Sequence, residues 1–144
     1  MARYIALGLA MFVGALTSIQ SAINTQLGRH VGGVTAALIS FSVGTASLGL
    51  VYIFSSENGL KNVTKVQPYL LIGGLFGAIF VFSMIKLVPQ IGAGSTIAGV
   101  IAGQLILALV IDQFGWFGLK KVGIDFPRGM GAVLLILGVK LISK

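Results

Sequence analysis

Long apolar runs, separated by short groups of charged and turn-forming residues, dominate this chain. Cutting at those groups leaves five apolar segments, with approximate bounds 4–27, 34–54, 69–88, 95–114 and 127–142. Each is close to the ~20 residues that an α-helix needs to cross a bilayer core of ~30 Å. Runs such as Leu105–Ile111 do not alternate between apolar and polar residues, which argues against a transmembrane β-barrel. The pattern therefore predicts an all-α polytopic membrane protein, with residues 1–144 forming a single transmembrane domain.

The composition supports this prediction and excludes several classes of protein. Hydrophobic residues make up 56% of the chain and charged residues 9%, with 21 glycines and no cysteine. These values exclude a soluble enzyme, a disordered chain and a disulfide scaffold. The net charge of +7 comes from residues that flank the apolar runs, and the longest basic run is Lys120-Lys121. We therefore expect the cations to contact lipid headgroups rather than nucleic acid.

The distribution of basic residues gives only a weak signal for orientation. Five crossings place the two termini on opposite sides of the membrane. One side then carries six basic residues and the other four: Arg3, Lys61, Lys65, Lys120, Lys121 and Arg128 against Arg29, Lys86, Lys140 and Lys144. Positive charge in short loops sets orientation, so two interpretations remain open. Either the N-terminus is cytoplasmic by a modest preference, or the chain inserts both ways and pairs with an inverted copy of itself, giving five plus five helices around a midplane site.

Polar residues within the apolar runs are the candidates for substrate binding. The first run carries a stripe at helical spacing: Thr17, Gln20, Ser21, Asn24 and Gly28. Amides in a membrane need hydrogen-bond partners, so the stripe is either an interhelical contact or the wall of a polar cavity. Gln104 lies near the middle of the fourth run, and Ser40 and Ser83 are weaker candidates in the second and third. We expect Gln20, Asn24 and Gln104 to converge near the midplane.

Two further sets of residues are singled out by type and position. Asp112 is the carboxylate found inside an apolar run, and three roles are open to it: pairing with a lysine such as Lys120 or Lys121, capping a helix, or coupling protons. Two pairs of glycines stand four residues apart and predict close helix packing: Gly73 with Gly77, and Gly99 with Gly103. The sequence contains no metal-ligand cluster, nucleophile–base pair or P-loop, so we expect neither an enzyme nor a cofactor or metal.

Six motifs along the chain, taken together, resemble one family. They are QSAINTQLGR at 20–29, SFSVGT at 40–45, GGLFG at 73–77, VPQIGAG at 88–94, AGQL at 102–105 and IDQFG at 111–115. This pattern, over nearly the whole chain, resembles the YdcZ-like family of small membrane proteins in the drug/metabolite transporter superfamily. Two positions depart from the family pattern: Tyr69 stands where tryptophan is usual, and Gln113 where histidine is common.

The resemblance implies a five-helix subunit of a bacterial cytoplasmic (inner) membrane protein, used in pairs or as a single dual-topology chain. Members of the superfamily mostly export or exchange small organic compounds. The small multidrug resistance relatives couple protons through a glutamate in the first helix, whereas this chain has Gln20 and Asn24 there. We therefore expect an antiparallel homodimer that moves a small metabolite or cation by alternating access, with lipid, substrate and a second copy as its partners. The alternatives are a passive dual-topology channel for a small ion and a membrane assembly protein without transport.

Overall fold

The protein is all-helical in the computed structural model, which describes residues 2–143. Lys144, which the sequence analysis counted among the basic residues of one membrane side, lies outside the described residues, as does Met1. The described chain forms five α-helices joined by three 3-10 segments and short turns. The α-helices are α1 Ala2–Val31, α2 Gly33–Phe54, α3 Gly73–Ile91, α4 Ala93–Phe114 and α5 Phe126–Ile142, and the 3-10 segments are Gly59–Lys65, Pro68–Leu71 and Trp116–Gly118.

Within the described residues, four helical segments are long and apolar enough to cross a membrane: Arg3–Val31, Gly33–Phe54, Pro68–Ile91 and Ala93–Phe114. This finding confirms a polytopic membrane protein. The fifth helix has 17 residues, which corresponds to a length of about 25 Å at the usual helical rise. That length is at the lower end of what a transmembrane helix requires, so the fifth crossing remains a prediction.

Two single glycines replace the longer breaks that the sequence suggested between neighbouring runs. Helix α1 continues past Leu27 through Arg29 and His30, and only Gly32 separates it from α2. Gly92 separates α3 from α4 in the same way. Their backbone angles are nearly equal, with φ +84° and ψ 154° at Gly32 and φ +81° and ψ 155° at Gly92. This region of backbone space is open almost only to glycine, so each glycine ends one helix and begins the next.

Two compact units make up the chain, Met1–Pro89 and Gln90–Lys144, and the boundary falls in the last turn of α3. The first unit holds α1, α2 and most of α3 around a small core of Ala36, Ala37, Val81 and Ile85. The second unit packs α4 against α5. Most large apolar side chains in the described range are exposed, as expected of helices that face lipid.

Glycines of the first unit allow its helices to approach closely. A Cβ on Gly28 of α1 would lie 2.5 Å from Cγ2 of Ile85 on α3, and one on Gly77 would lie 3.1 Å from Cζ of Phe41 on α2. The other three predicted packing glycines, Gly73, Gly99 and Gly103, would meet no heavy atom within 4 Å. A packing role for these three therefore stays a prediction that requires a second chain.

Buried positions recur in the chain at a fixed interval. Four pairs of buried residues stand 60 positions apart, as do the turn glycines Gly32 and Gly92; the buried pairs are Ser21 with Val81, Asn24 with Met84, Thr25 with Ile85, and Ala36 with Thr96. The segment from α1 into α2 and the segment from α3 into α4 thus follow one pattern of burial. In α1 the repeated positions are polar, and in α3 they are apolar.

Candidate functional site

The polar stripe of α1 lies on the face of that helix that packs against α3. Thr17, Gln20, Ser21 and Asn24 line one side of a narrow crevice, and Phe80, Val81 and Met84 line the other. The crevice holds about 10 Å³, which is close to the space that one water molecule needs. Asn24 and Ser21 are buried, whereas Gln20 lies exposed at the edge. The stripe therefore runs from the exposed surface of α1 into the interior of the first unit.

One hydrogen bond joins two of the predicted site residues. Asn24 Nδ2 donates to Ser40 Oγ of α2 at 3.1 Å. An asparagine amide has two N–H donors and an acceptor oxygen, so this bond uses one part of its capacity. The structure thus brings Asn24 and Ser40 together, between helices α1 and α2.

Two buried hydroxyls of α1, those of Ser21 and Thr25, have no hydrogen-bond partner among residues 3–143. Other hydroxyls in the chain donate to carbonyls of their own helix, as Ser18 does to Gly14 and Ser47 to Val43. An unsatisfied buried hydroxyl costs about 1–3 kcal/mol. The neighbouring face of α3 is apolar, because Val81, Met84 and Ile85 occupy its buried positions. Both hydroxyls are thus enclosed by the first unit, and another molecule could reach them only if its helices separated.

The remaining predicted binding residues have less distinctive surroundings. Ser83 is half-buried on α3. Gln104 lies on α4, in the second compact unit, and is exposed. The expected convergence of Gln104 with Gln20 and Asn24 stays a prediction.

Asp112 pairs with an arginine rather than with the loop lysines that the sequence suggested. Its Oδ2 accepts a hydrogen bond from Arg128 Nη2 in the first turn of α5, and both side chains are about one-third exposed, at 33% and 31%. Arg128 Nη1 also donates to the carbonyls of Val122 and Gly123, each at 3.3 Å. The predicted pairing of Asp112 with Lys120 or Lys121 is therefore wrong. Helix α5 begins beside the end of α4 and brings Arg128 to the carboxylate.

The connection between α4 and α5 is held by hydrogen bonds that sequence reasoning missed. Gln113 Oε1 accepts from the backbone N–H of Ile124 at 2.7 Å, and the Val122 N–H donates to the carbonyl of Asp112 at 2.8 Å. Asp125 caps α5 by accepting from the Arg128 backbone N–H at 2.9 Å. An Asp placed just before a proline-containing helix start was the signal for this cap. Within residues 2–143, no three His, Asp or Glu side chains cluster closely enough to hold a metal ion.

Comparison with known proteins agrees with this architecture. Residues 5–141 match a family model described as "Putative inner membrane exporter, YdcZ". The chain belongs to this family. One relative is the inner membrane protein YdcZ of Escherichia coli (strain K12), with 38% identity over 82 residues. That match covers 57% of this chain and 54% of the relative, so the chain matches about half the length of that protein. No solved structure matches.

The family membership fixes the general class of the protein. It is a multi-pass protein of the bacterial inner membrane, and the description of its family is that of a "Putative inner membrane exporter". The resemblance stated from the motifs is thereby confirmed.

Proposed function

We propose that the protein is an exporter of small polar organic metabolites or cations that works as an antiparallel pair of identical chains. Its substrate site is the polar stripe of α1, with Gln20, Ser21 and Asn24 on the wall of the path and Ser40 holding the Asn24 amide. Gln104 and Ser83 complete the site when the two chains alternate access between the two sides of the membrane.

The observation that carries this proposal is the mismatch between α1 and α3. Ser21 is 5% exposed and its hydroxyl lacks a protein partner, while the α3 residues opposite are apolar. If the stripe existed only to join helices, each polar group would be expected to face a polar group on the neighbouring helix. The closed crevice has room for about one water molecule, so a ligand that donates and accepts hydrogen bonds would satisfy these groups when α1 and α3 separate.

The chemistry of the stripe favours a neutral or cationic substrate. Amide and hydroxyl oxygens accept hydrogen bonds from ammonium or hydroxyl groups. Helices α1 and α2 contain no carboxylate, so they offer such a cation only the dipoles of amide and hydroxyl groups and no full counter-charge. A substrate held in this way can leave as readily as it enters, which transport requires.

The pairing of inverted copies is supported by charge and by packing. The split of six basic residues against four directs insertion only weakly. Gly73, Gly99 and Gly103 offer surfaces without side chains on which a second chain could lie closely. In such a dimer the two stripes face one path, and the two-fold axis in the membrane plane gives the path equivalent openings on both sides.

The decisive experiment is flux of the purified protein in proteoliposomes, with a panel of small metabolites and organic cations. Saturable counterflow is expected for at least one compound. A conductance or an uncoupled dissipative flux would support the passive channel instead, and the lack of any flux across the panel would support an assembly protein.

Ser21→Ala separates a binding role of the stripe from a structural one. Because this change removes a hydroxyl that has no partner, we expect unchanged or slightly higher stability, by up to about 1 kcal/mol, together with weaker substrate affinity. Ser18→Ala is the matched control, since its hydroxyl already donates to the Gly14 carbonyl at 3.2 Å, and transport should stay at the wild-type level. Lower stability of Ser21→Ala with unchanged affinity would contradict the proposed site.

A further inference from the structure

The connection between α2 and α3 carries apolar residues at every third position along the 3-10 segment Gly59–Lys65. A 3-10 helix has three residues per turn, so side chains three positions apart lie on one side of it. Leu60, Val63 and Val66 stand at this spacing, with Val66 as the residue that caps the segment. Each end of the segment makes a backbone hydrogen bond across three residues, at 3.3 Å. These three side chains therefore form a narrow apolar face.

The other two sides of the segment are polar and positively charged. By the same spacing, one side carries Lys61 and Thr64, and the other carries Asn62 and Lys65. The segment itself contains no acidic residue, and Glu57 precedes it by two positions. An apolar face beside polar sides that carry lysines is the pattern of helices that lie in the plane of the membrane interface.

The apolar face stays exposed in the described chain. Leu60 is 65% exposed, Val63 40% and Val66 41%, and every residue of the stretch 56–76 is exposed. Apolar side chains that share one face and are left uncovered mark a contact with another molecule or with lipid.

The neighbouring helices determine where this face lies. Gly33–Phe54 and Pro68–Ile91 are both long and apolar enough to cross a membrane, so the chain leaves the bilayer and returns to it within residues 55–67. Tyr52 and Tyr69 lie near the two ends of this connection, and tyrosine is typical of the boundary between lipid and water. Seven residues of 3-10 helix extend only about 14 Å. The segment is therefore held at both ends close to the membrane surface.

We propose that the 3-10 segment lies in the interface of an anionic bilayer. Its apolar face is buried where the headgroups meet the acyl chains, and Lys61 and Lys65 contact headgroup phosphates. The charge selects this occupant, because the surface of the cytoplasmic leaflet is negative. A second copy of the chain is a less suitable partner, since it is itself cationic, with a net charge of +7. This inference does not depend on the proposed transport function.

The test uses the full chain in nanodiscs of phosphatidylcholine and phosphatidylglycerol. The chain contains no cysteine, so a nitroxide can be attached to one introduced cysteine at a time, at each of residues 60–66. Oxygen concentrates in lipid, whereas a nickel chelate stays in water, so the relaxation of the nitroxide by each reagent distinguishes the two surroundings. At Leu60, Val63 and Val66 the nitroxide should be reached by oxygen and protected from nickel. At the four intervening positions it should be reached by nickel.

The period of the accessibility decides the outcome. A period of three that follows the apolar face supports the proposal. Uniform access of the nickel chelate to residues 60–66 would overturn it, because the segment would then lie in water. Protection of the apolar face from both oxygen and nickel would also overturn it, since a second copy or another protein would then cover the face.

A pair of matched variants tests the apolar face without changing the net charge. With the nitroxide at Val66, Val63→Asn should raise the undocked population about tenfold, because a buried valine is replaced by a polar side chain. Thr64→Asn introduces the same residue on a polar side and is the control, so nickel access should stay low. Both positions are exposed in a connection between helices, so neither variant should disturb folding. Equal nickel access in the two variants would overturn the proposal.

The lysines test the requirement for an anionic bilayer. Lys61→Gln and Lys65→Gln should each lower the ratio of docked to undocked segment about fivefold in phosphatidylglycerol nanodiscs. Nanodiscs of phosphatidylcholine alone should weaken docking of the wild type and abolish the difference between it and the lysine variants. Docking that is equally strong with and without phosphatidylglycerol would overturn the proposal.

Discussion

Gly28→Ala tests the close approach of α1 and α3, on which the geometry of the polar stripe depends. Ordinary van der Waals contact begins at 3.4 Å, whereas the new Cβ would lie 2.5 Å from Ile85 Cγ2. The two helices would have to separate by almost 1 Å, or Ile85 would have to move. Ile85 is 5% exposed and belongs to the small core, so it has little room to move.

The magnitude follows from two opposing effects. Overpacking a well-filled core costs about 1–3 kcal/mol, while replacing a helical glycine by alanine returns up to about 1 kcal/mol. We therefore expect the free energy needed to open the contact between α1 and α3 to fall by about 1–2 kcal/mol. That loss corresponds to a roughly 5- to 30-fold larger population of the open form.

The chain contains no cysteine, so a single Ser21→Cys replacement provides a clean reporter. Ser21 is 5% exposed and faces α3, and a thiol reagent can reach it only when the helices open. In this background, Gly28→Ala should be labelled about 5- to 30-fold faster. Gly14→Ala in the same helix is the control, because a Cβ there meets nothing within 4 Å.

A double variant tests whether Ile85 Cγ2 is the atom that the new methyl group of Gly28→Ala meets. Ile85→Ala removes Cγ2 and leaves Cβ, which would lie 3.8 Å from the new methyl group of Gly28→Ala. Adding Gly28→Ala to Ile85→Ala should therefore cause no further loss of stability. Equal labelling rates for Gly28→Ala and Gly14→Ala would refute the packing that we describe.

Three further predictions follow from the turns, the ion pair and the charge distribution. Gly92→Ala should destabilise the chain by about 1–3 kcal/mol in detergent unfolding, because φ is +81° there, whereas Gly99→Ala should be neutral in the isolated chain; equal effects would argue against the turn. Asp112→Asn should lower the stability of the loop from α4 to α5 by about 1 kcal/mol and so speed its proteolysis. Adding Arg128→Gln to this variant should lower the stability little further, and fully additive losses would argue against the ion pair. C-terminal reporters should be active on both sides of the membrane, and two added lysines in the loop from α2 to α3 should polarise insertion and reduce transport; a single orientation of the wild type would exclude dual topology.

Helix content and helix faces could be predicted from the sequence because they depend on local periodicity. The spacing of Gln20, Ser21 and Asn24 put them on one face of α1, as in the structure. The partner of that face could not be predicted in the same way. Ser40 meets Asn24 because a turn of one residue, Gly32, fixes α2 beside α1, whereas the sequence suggested a break of several residues.

The error over Asp112 has a similar origin. Lys120 and Lys121 are nearer to it in sequence, but Arg128 is nearer in space, since α5 begins beside the end of α4. The Gln113 bond to Ile124 and the Asp125 cap fix that return. Such a loop has no periodic pattern from which its path could be predicted, and only its end, at the Asp cap, carries a local signal.

The repeat of buried positions accounts for the unpaired hydroxyls of α1 within the described chain. If α3 carried the same polar residues as α1 at the repeated positions, the two helices would hydrogen-bond to each other. No unpaired group would then remain for a ligand. In this chain the repeated positions Val81, Met84 and Ile85 are apolar, and the hydroxyls of Ser21 and Thr25 stay unsatisfied. The cost of about 1–3 kcal/mol for each hydroxyl would be offset if a substrate supplied the missing partner when the helices open. The unsatisfied hydroxyls of the stripe then destabilise the protein without substrate and favour substrate binding. Variants that remove such a hydroxyl should gain stability and lose substrate affinity.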